Sequence, residues 1–444
     1  MGLGLHGGGV GAANYFTSKG SRVIVTDLKR EDDLRESIEK LKNRKLVKLV
    51  LGEHRYRDFG EADLIIKNPG VPKDSPFISY ALERGIRVDT DIGVFIDEIR
   101  GLTGNVVGIT GTKGKSTTAA LIHRVIGSRL DALLAGNITV SVFEILDNVK
   151  KDTWVVLELS SFQLGDIRGK RFSPRIGVFT NFMEDHLDYY PDMESYFRDK
   201  ETLYAFQGPG DIFVVNREDD VFGWVGGVKG ERITFGLSAR FDGPGTYVKG
   251  DTVYFRSKVE MPVIEVKNIL LRGGHNLFNV LGAAAAACGA GFDPGDVGRS
   301  IADFKGLRHR LEFIAERKGV RYYNDSAATT PLSAVRGIES FIEPVVLIAG
   351  GSDKGLAARD LAEAVNRKVG KLILLEGTGT KRLLEEGLDI PYTVCSGIED
   401  AVHLASRQAD SGDTVLLSPG FASFGMFKNE FHRGDTFREA VLNL

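Results

Sequence analysis

The chain has 444 residues, more than one compact core usually holds, so two or three domains are expected. Its 57 Lys and Arg nearly balance its 60 Asp and Glu, which excludes a general basic footprint for nucleic acid. No apolar run reaches the ~18 residues of a membrane helix, and Cys288 and Cys395 have no metal spacing, so no membrane insertion and two free thiols in a reducing cytoplasm are expected.

The chain starts on G-L-G-L-H-G (2–7), which fits G-x-G-x-x-G, and V-I-V-T-D (23–27) supplies an acid, Asp27, about 20 residues later. Glycines of this spacing let a phosphate approach a helix N-terminus, and the acid takes a ribose or base group; read alone, the pattern suggests a dinucleotide. The pattern ordinarily follows a strand. Here nothing precedes it, so a first domain lacking its first strand is expected. Further apolar runs with turn signals follow at 62–72, 106–111, 154–160, 176–181, 211–216, 344–351, 371–377 and 413–420, with helical stretches between many of them. Short continuous runs of this kind suit buried parallel strands. The expected class is α/β in three domains. They are a Rossmann-like N-terminal domain (1–97), a central P-loop ATPase domain with a parallel sheet (98–306), and a Rossmann-like C-terminal domain (307–444).

The central block opens on V-G-I-T-G-T-K-G-K-S-T (107–117). Backbone N–H groups from Gly111 to Thr117 can face an anion, Lys115 can neutralise β- and γ-phosphate charge, and the Ser116 hydroxyl can reach Mg²⁺. Ile109 stands where the first glycine of G-x-x-x-x-G-K-[ST] belongs, so the loop is a variant, but it lies between an apolar strand and a helical run. W-V-V-L-E ends a second strand on Glu158, and T-N-F-M-E-D-H follows a third with His186. Both could serve Mg²⁺, which needs hard oxygen-rich surroundings. Taken singly, Glu158 reads equally well as a strand-end acid facing water, and His186 as an ordinary loop histidine.

Together with N-P-G-V-P (68–72), G-N-I (136–138), E-L-S-S-F-Q-L (158–164), D-H-L-D (185–188), Y-F-R-D-K (196–200), G-G-H-N-L-F-N (273–279), G-L-R-H-R (306–310), N-D-S (324–326) and L-S-P-G-F-A-S (417–423), these motifs make the whole chain resemble the Mur ligases. Within that family it resembles the MurD type, for which E-L-S-S-F-Q-L is the most specific run. The resemblance implies a three-domain ligase using ATP, UDP-N-acetylmuramoyl-L-alanine and glutamate in cytoplasmic peptidoglycan precursor synthesis. A monomer is the default expectation. The fingerprint then serves UDP rather than a dinucleotide. The resemblance implies that Lys115, Glu158, His186 and Lys200 are catalytic. It gives Gly111, Thr112, Lys113, Gly114, Lys115, Ser116, Thr117, Asn279 and Arg310 to ATP. Leu5, His6, Asp27, Gly70, Asn137 and His186 go to the UDP-substrate, and Ser160, Thr329 and Ser423 to the incoming amino acid. Two Mg²⁺ are implied, held by Ser116, Glu158, His186 and a carbamylated Lys200.

The match frays at the amino-acid end. The family reads D-S-K-A-T-N where this chain has D-S-A-A-T-T (325–330), so Ala327 replaces a lysine that faces the glutamate carboxylate. Glu430 stands where an aromatic is usual and Gly425 where an acid is usual. G-N-I-T-V also lacks the glycine that usually follows G-N-I. Lys354, Lys428 and Arg433 are the candidate replacement cations. L-glutamate or another amino acid, a folylpolyglutamate synthetase-like ligase and a non-catalytic nucleotide-binding regulator are the alternatives.

Overall fold

A computed structural model describes residues 1–4, 7–72, 74–137, 140–187, 189–238 and 242–444. It divides into two compact units. The first comprises Met1–Glu265 with Phe278–Ile301, and the second Val266–Leu277 with Ala302–Leu444.

The first unit begins with two small parallel sheets. β1 (Val23–Asp27) pairs with β2 (Val47–Leu51), and β3 (Leu64–Ile66) with β4 (Arg87–Asp89). Met1 and Gly2 lie between them. Gly2 N–H donates to Thr26 O at 2.8 Å on the β1 side. On the β3 side the Met1 nitrogen donates to Ile66 O at 2.8 Å, and Asn68 N–H donates back to Met1 O at 2.9 Å. One residue bracketed by partners i−1 and i+1 is the rung pattern of a parallel pair. The fingerprint turn leads into the helix Gly8–Ser18, which starts at Gly7 with φ 90°.

The larger sheet of this unit contains β5 (Val106–Thr110), β6 (Ala132–Gly136), β7 (Trp154–Glu158), β8 (Ile176–Phe179), β9 (Ile212–Asn216), β10 (Glu231–Phe235), β11 (Gly245–Lys249), β12 (Thr252–Arg256) and β13 (Glu260–Glu265). Its order is β13-β12-β11-β10-β9-β8-β5-β7-β6. β5, β7, β8 and β9 are buried at every position, as expected of strands covered on both faces by helices. Their apolar side chains share one core with the helices Asp91–Ile99, Ser161–Ile167 and Met193–Ala205. The antiparallel β11, β12 and β13 extend the sheet at one edge.

The second unit holds β14 (Glu312–Arg317), β15 (Val320–Asn324), β16 (Val345–Gly350), β17 (Val369–Leu375), β18 (Tyr392–Cys395) and β19 (Thr414–Leu417). They form one sheet in the order β14-β15-β19-β16-β17-β18, parallel except for the β14–β15 hairpin. Two apolar clusters flank it. One holds Leu347, Leu361 and Val365, the other Ile348, Val402 and Phe437. The strand runs read from the sequence are thus strands, and the fold is the expected α/β class.

Candidate active site

β5 is flanked by β7 on one side and β8 on the other, so the loop after it leaves at a switch point of the sheet, where parallel α/β folds bind ligands. That loop is the predicted phosphate loop. Gly111 (φ 145°) and Gly114 (φ 81°) take backbone conformations that side-chain-bearing residues avoid. Gly114 caps the helix Lys115–Gly127, whose first turn carries Lys115, Ser116 and Thr117. A Cβ on Gly114 would overlap the Asn279 carboxamide oxygen. The Thr118 hydroxyl donates to the same oxygen at 3.4 Å. The structure therefore brings Asn279 to the phosphate loop although 165 positions separate it from Gly114 in the chain (279 − 114).

The loop after β8 clasps the phosphate loop. Asn181 accepts from Lys113 N–H at 2.8 Å and donates from its amide to Lys113 O at 2.9 Å. The Thr180 hydroxyl donates to Lys113 O at 2.7 Å, and Met183 N–H donates to the Thr112 hydroxyl at 3.0 Å. The Lys113 ammonium pairs with Asp185 at 3.2 Å. Against the pull of burial, that ammonium holds the Asp185 carboxyl below its ordinary value. Thr180, Asn181 and Asp185 lie in motifs quoted above, but the sequence assigned them no role, and the clasp reveals their part.

Two lysine side chains meet on one carbonyl. Lys115 Nζ donates to Gly111 O at 3.0 Å and to Thr112 O at 2.9 Å, and Lys200 Nζ donates to Gly111 O at 3.0 Å. Lys200 sits on the helix Met193–Ala205 with only 1% of its surface exposed. Its Nζ lies 4.6 Å from the centroid of the Tyr196 ring. Burial first, and the Lys115 charge second, push the Lys200 amine well below its ordinary pKa.

Glu158 ends β7 opposite Ile109 of β5 and is buried. Its carboxylate accepts from the Asn137 amide at 3.2 Å, so two predicted site residues are in contact. His186 takes a left-handed backbone at φ 58°, and its ring stands edge-on to Phe162, 5.2 Å between centroids. The Ser160 hydroxyl accepts from Gln163 N–H at 3.2 Å and the Gln163 carboxamide accepts from Ser160 N–H at 3.1 Å. This capping box starts the helix Ser161–Ile167. Ser116, Glu158 and His186 carry a hydroxyl, a carboxylate and an imidazole, and Mg²⁺ takes one or two such groups with phosphate and water oxygens completing its shell. Among the described residues no group of three or more His, Cys, Asp or Glu side chains is placed to hold a metal by itself.

At the predicted uridine end, both Asp27 oxygens accept backbone N–H groups, from Gly4 at 3.1 Å and from Lys29 at 2.9 Å. Gly70 N–H donates to the Asn68 carboxamide at 3.3 Å. Leu5 and His6 lie outside the described residues.

In the second unit, the loops after β15, β16 and β19 meet beyond the C-terminal ends of three adjacent strands. Ser352 and Ala422 exchange both backbone hydrogen bonds, at 2.9 and 3.0 Å, and Gly420 N–H donates to Ala328 O at 2.9 Å. Lys354 Nζ reaches the Thr329 hydroxyl at 3.4 Å, and Ser423 lies one residue beyond Ala422. Of the candidate replacement cations, Lys354 is the one placed beside Thr329. Arg433 is fully buried, and its donors go to Ser326 Oγ at 3.0 Å, Ser326 O at 2.9 Å and Phe421 O at 3.1 Å. Burial lowers its pKa to about 10. It ties the segment after β15 to the segment after β19. Lys428 is exposed on the segment that leads into the last helix, Glu430–Leu442. Arg310 precedes β14, and its charge acts on Asp325, which burial nonetheless pushes up to about 7.

Three family descriptions match along the chain: a Mur ligase MurD-like N-terminal domain at 1–90, a Mur ligase middle domain at 109–287 and a Mur ligase glutamate ligase domain at 309–421. A Roseiflexus protein named UDP-N-acetylmuramoylalanine--D-glutamate ligase is 39% identical, with 99% of this chain and 97% of that one covered. A Geobacillus kaustophilus protein of the same name is 36% identical over 100% and 97%. Among solved structures, the UDP-N-acetylmuramate-alanine ligase of Thermotoga maritima superposes with a TM-score of 0.58 at 19% identity, covering 98% of each chain. The MurF ligase of the same organism, in complex with ADP, superposes at 0.55 and 15% identity, covering 96% of this chain and 97% of that one. The chain belongs to the Mur ligase family and groups with its MurD-like members.

Proposed function

We propose that the chain is an ATP-dependent amide ligase that joins D-glutamate to UDP-N-acetylmuramoyl-L-alanine in peptidoglycan precursor synthesis. The observation that carries the reading is the meeting of two lysine side chains, Lys115 and Lys200, on the Gly111 carbonyl of the phosphate loop. The full-length relatives named for this reaction support the choice of substrates.

A carboxylate does not condense with an amine in water, because oxide is a very poor leaving group. The γ-phosphate passes from ATP to the substrate carboxylate, giving an acyl phosphate and ADP. The amine of glutamate attacks the acyl carbon, and phosphate leaves from the tetrahedral intermediate. The protein's part is placement and charge neutralisation. Lys115 and the N–H groups of Gly111–Thr117 face the phosphates, and Asn279 and Arg310 serve the nucleotide. Ser116, Glu158 and His186 would hold Mg²⁺, which would supply positive charge against the phosphate oxygens. Burial and the Lys115 charge favour the neutral Lys200 amine, the form that adds CO₂ with release of a proton; the resulting carbamate would be able to hold a second Mg²⁺. Asp27, Gly70 and Asn137 belong to the nucleotide-sugar side. Thr329, Ser423 and Lys354 belong to the glutamate side, where Lys354 stands in for the cation that Ala327 lacks. The working division of labour is 1–97 for the nucleotide sugar, 98–306 for ATP and 307–444 for the amino acid. The nucleotide substrates place the reaction in the cytoplasm, and the working unit is a monomer. No described helix is long and apolar enough to cross a membrane.

ATP-dependent phosphate release, measured with UDP-N-acetylmuramoyl-L-alanine and either D- or L-glutamate, tests the reading. Release with D-glutamate alone is expected. Release with L-glutamate alone would overturn the choice of amino acid, and silence with both would overturn the ligase.

A further inference from the structure

Lys354 is the apex of a braced turn in the second unit. Asp353 Oδ1 accepts from Gly355 N–H at 2.9 Å, so the residues on either side of Lys354 are tied together across it. This is an Asx turn, which fixes the backbone of the residue in the middle, and Gly355 continues it at φ 75°, where glycine carries little strain. The second oxygen of Asp353 is also taken: Arg382 donates to Oδ2 at 3.1 Å. Against the pull of desolvation, the Gly355 N–H and the Arg382 guanidinium hold the Asp353 carboxyl below its ordinary value. Arg382 lies on the helix Thr378–Glu385, which follows β17 and grips the same loop at three further points. The Thr378 hydroxyl accepts from Asp353 N–H at 2.9 Å, the Thr380 hydroxyl accepts from Gly351 N–H at 3.3 Å, and Gly379 N–H donates to Gly351 O at 2.8 Å. On the other flank the Ser352 hydroxyl donates to Phe424 O at 2.5 Å. β16 stands between β17 and β19, so the segments that follow both neighbours brace the loop that carries Lys354.

We propose that Asp353, Thr378 and Arg382 are positioning residues of the glutamate site: they hold Lys354 beside Thr329 and so set the affinity for the incoming carboxylate. The inference rests on Lys354 serving glutamate. A lysine is a compact charge on a flexible stem, and it binds tightly only if its backbone is fixed beforehand. Lys354 is exposed, so packing does not fix it, and the turn does. Arg382 also answers a problem of charge. A bare carboxylate one residue from Lys354 would repel glutamate and compete for the ammonium. Paired with Arg382, Asp353 builds the turn while its charge is offset.

The test measures initial rates against D-glutamate, with ATP and UDP-N-acetylmuramoyl-L-alanine saturating, for Arg382→Met, Arg382→Lys, Asp353→Ala, Lys354→Ala and the double variant Arg382→Met with Lys354→Ala. Arg382→Met and Asp353→Ala should each raise the glutamate KM roughly five- to tenfold, with kcat and the KM for ATP within about twofold of the parent. Arg382→Lys should recover part of the loss. In the double variant Arg382→Met should add less than about twofold to Lys354→Ala, because a residue that acts through Lys354 then has nothing to act on. Effects that multiply in the double variant overturn the inference and leave the role of Lys354 standing. An unchanged glutamate KM in Lys354→Ala overturns both. A fall in kcat and a rise in the KM for ATP alongside the glutamate effect would mark a general defect and overturn the inference. Amide exchange at Gly355 needs no turnover and should quicken about fivefold or more in Arg382→Met. A raised glutamate KM with unchanged exchange there would make Arg382 a direct ligand and overturn the positioning role.

Discussion

Replacing Lys200 by methionine separates what this lysine costs the fold from what it does in turnover. In the unfolded chain the amine holds its proton up to about pH 10.4. In the folded protein, burial and the Lys115 charge keep it neutral well below that. Between the two values the unfolded chain binds one proton more than the folded one. Stability therefore rises with pH across this window by about 1.4 kcal/mol per unit, and is lost again as pH falls from about 10.4 towards the folded value. Methionine has nearly the same length and nothing to titrate. The bond it gives up is modest, because Lys115 Nζ still donates to Gly111 O at 3.0 Å. Lys200→Met should therefore be more stable than the parent at neutral pH and converge with it towards about pH 10. Urea unfolding midpoints across that range, in buffers freed of CO₂, measure the effect. Parallel pH curves for parent and variant would refute a neutral Lys200. In the same series Lys200→Ala should lose turnover while still binding ATP, with partial rescue by short carboxylic acids. Near-normal turnover in that variant would remove the carbamate from the mechanism.

Gly114→Ala places a Cβ at φ 81° against the Asn279 carboxamide. The backbone strain alone is about 1–2 kcal/mol, so ATP affinity should fall about tenfold or more, read by nucleotide titration. Lys354→Ala removes a cation beside Thr329. A charge-assisted hydrogen bond of about 1.5–3 kcal/mol predicts a glutamate KM raised roughly 10- to 150-fold, with the KM for ATP unchanged. Asp325 is buried and held protonated up to about 7. Between its unfolded value near 4 and about 7 the folded state binds more protons, so stability falls as pH rises through that window. Asp325→Asn should flatten the fall in pH-dependent unfolding, and an unchanged slope would contradict it.

The parts of the fold that rest on continuous apolar runs were legible in the sequence. V-V-G-I-T, W-V-V-L-E and I-F-V-V-N are buried at every position, and burial on both faces leaves no polar position to interrupt the run. The antiparallel β12 and β13 were not legible. In β12 the side chains alternate between buried and half-buried, so charged Arg256 and apolar Phe255 are neighbours in sequence but face different surroundings. β18 is exposed at Tyr392, Thr393 and Val394, and a strand at a sheet edge needs no apolar signature. The expectation of a missing first strand came from one motif without its usual neighbour.

At the site, residues that belong to a loop with its own chemistry were readable, and residues that act by folding onto such a loop were not. Glycines, Lys115 and Ser116 announce a phosphate loop because the anion itself dictates their spacing. Lys200 announces nothing: on a helix with Arg198 and Asp199 before it and Glu201 after it, it reads as a solvated lysine. Apart from the family resemblance, only its burial and its bond to Gly111 O distinguish it. The glutamate end shows the same limit from the other side. Ala327 in place of a lysine looks like a pocket without its cation, because sequence compares positions rather than places. Thr329 follows β15 and Lys354 follows β16, two strands that are not direct neighbours, since β19 lies between them. Their loops nonetheless bring Lys354 Nζ to 3.4 Å from the Thr329 hydroxyl. A carboxylate needs positive charge within a few ångströms, and any loop at that edge of the sheet can supply it. On the proposed reading, a lysine can therefore leave position 327 without the glutamate site losing its charge, provided Lys354 remains where the loop after β16 holds it.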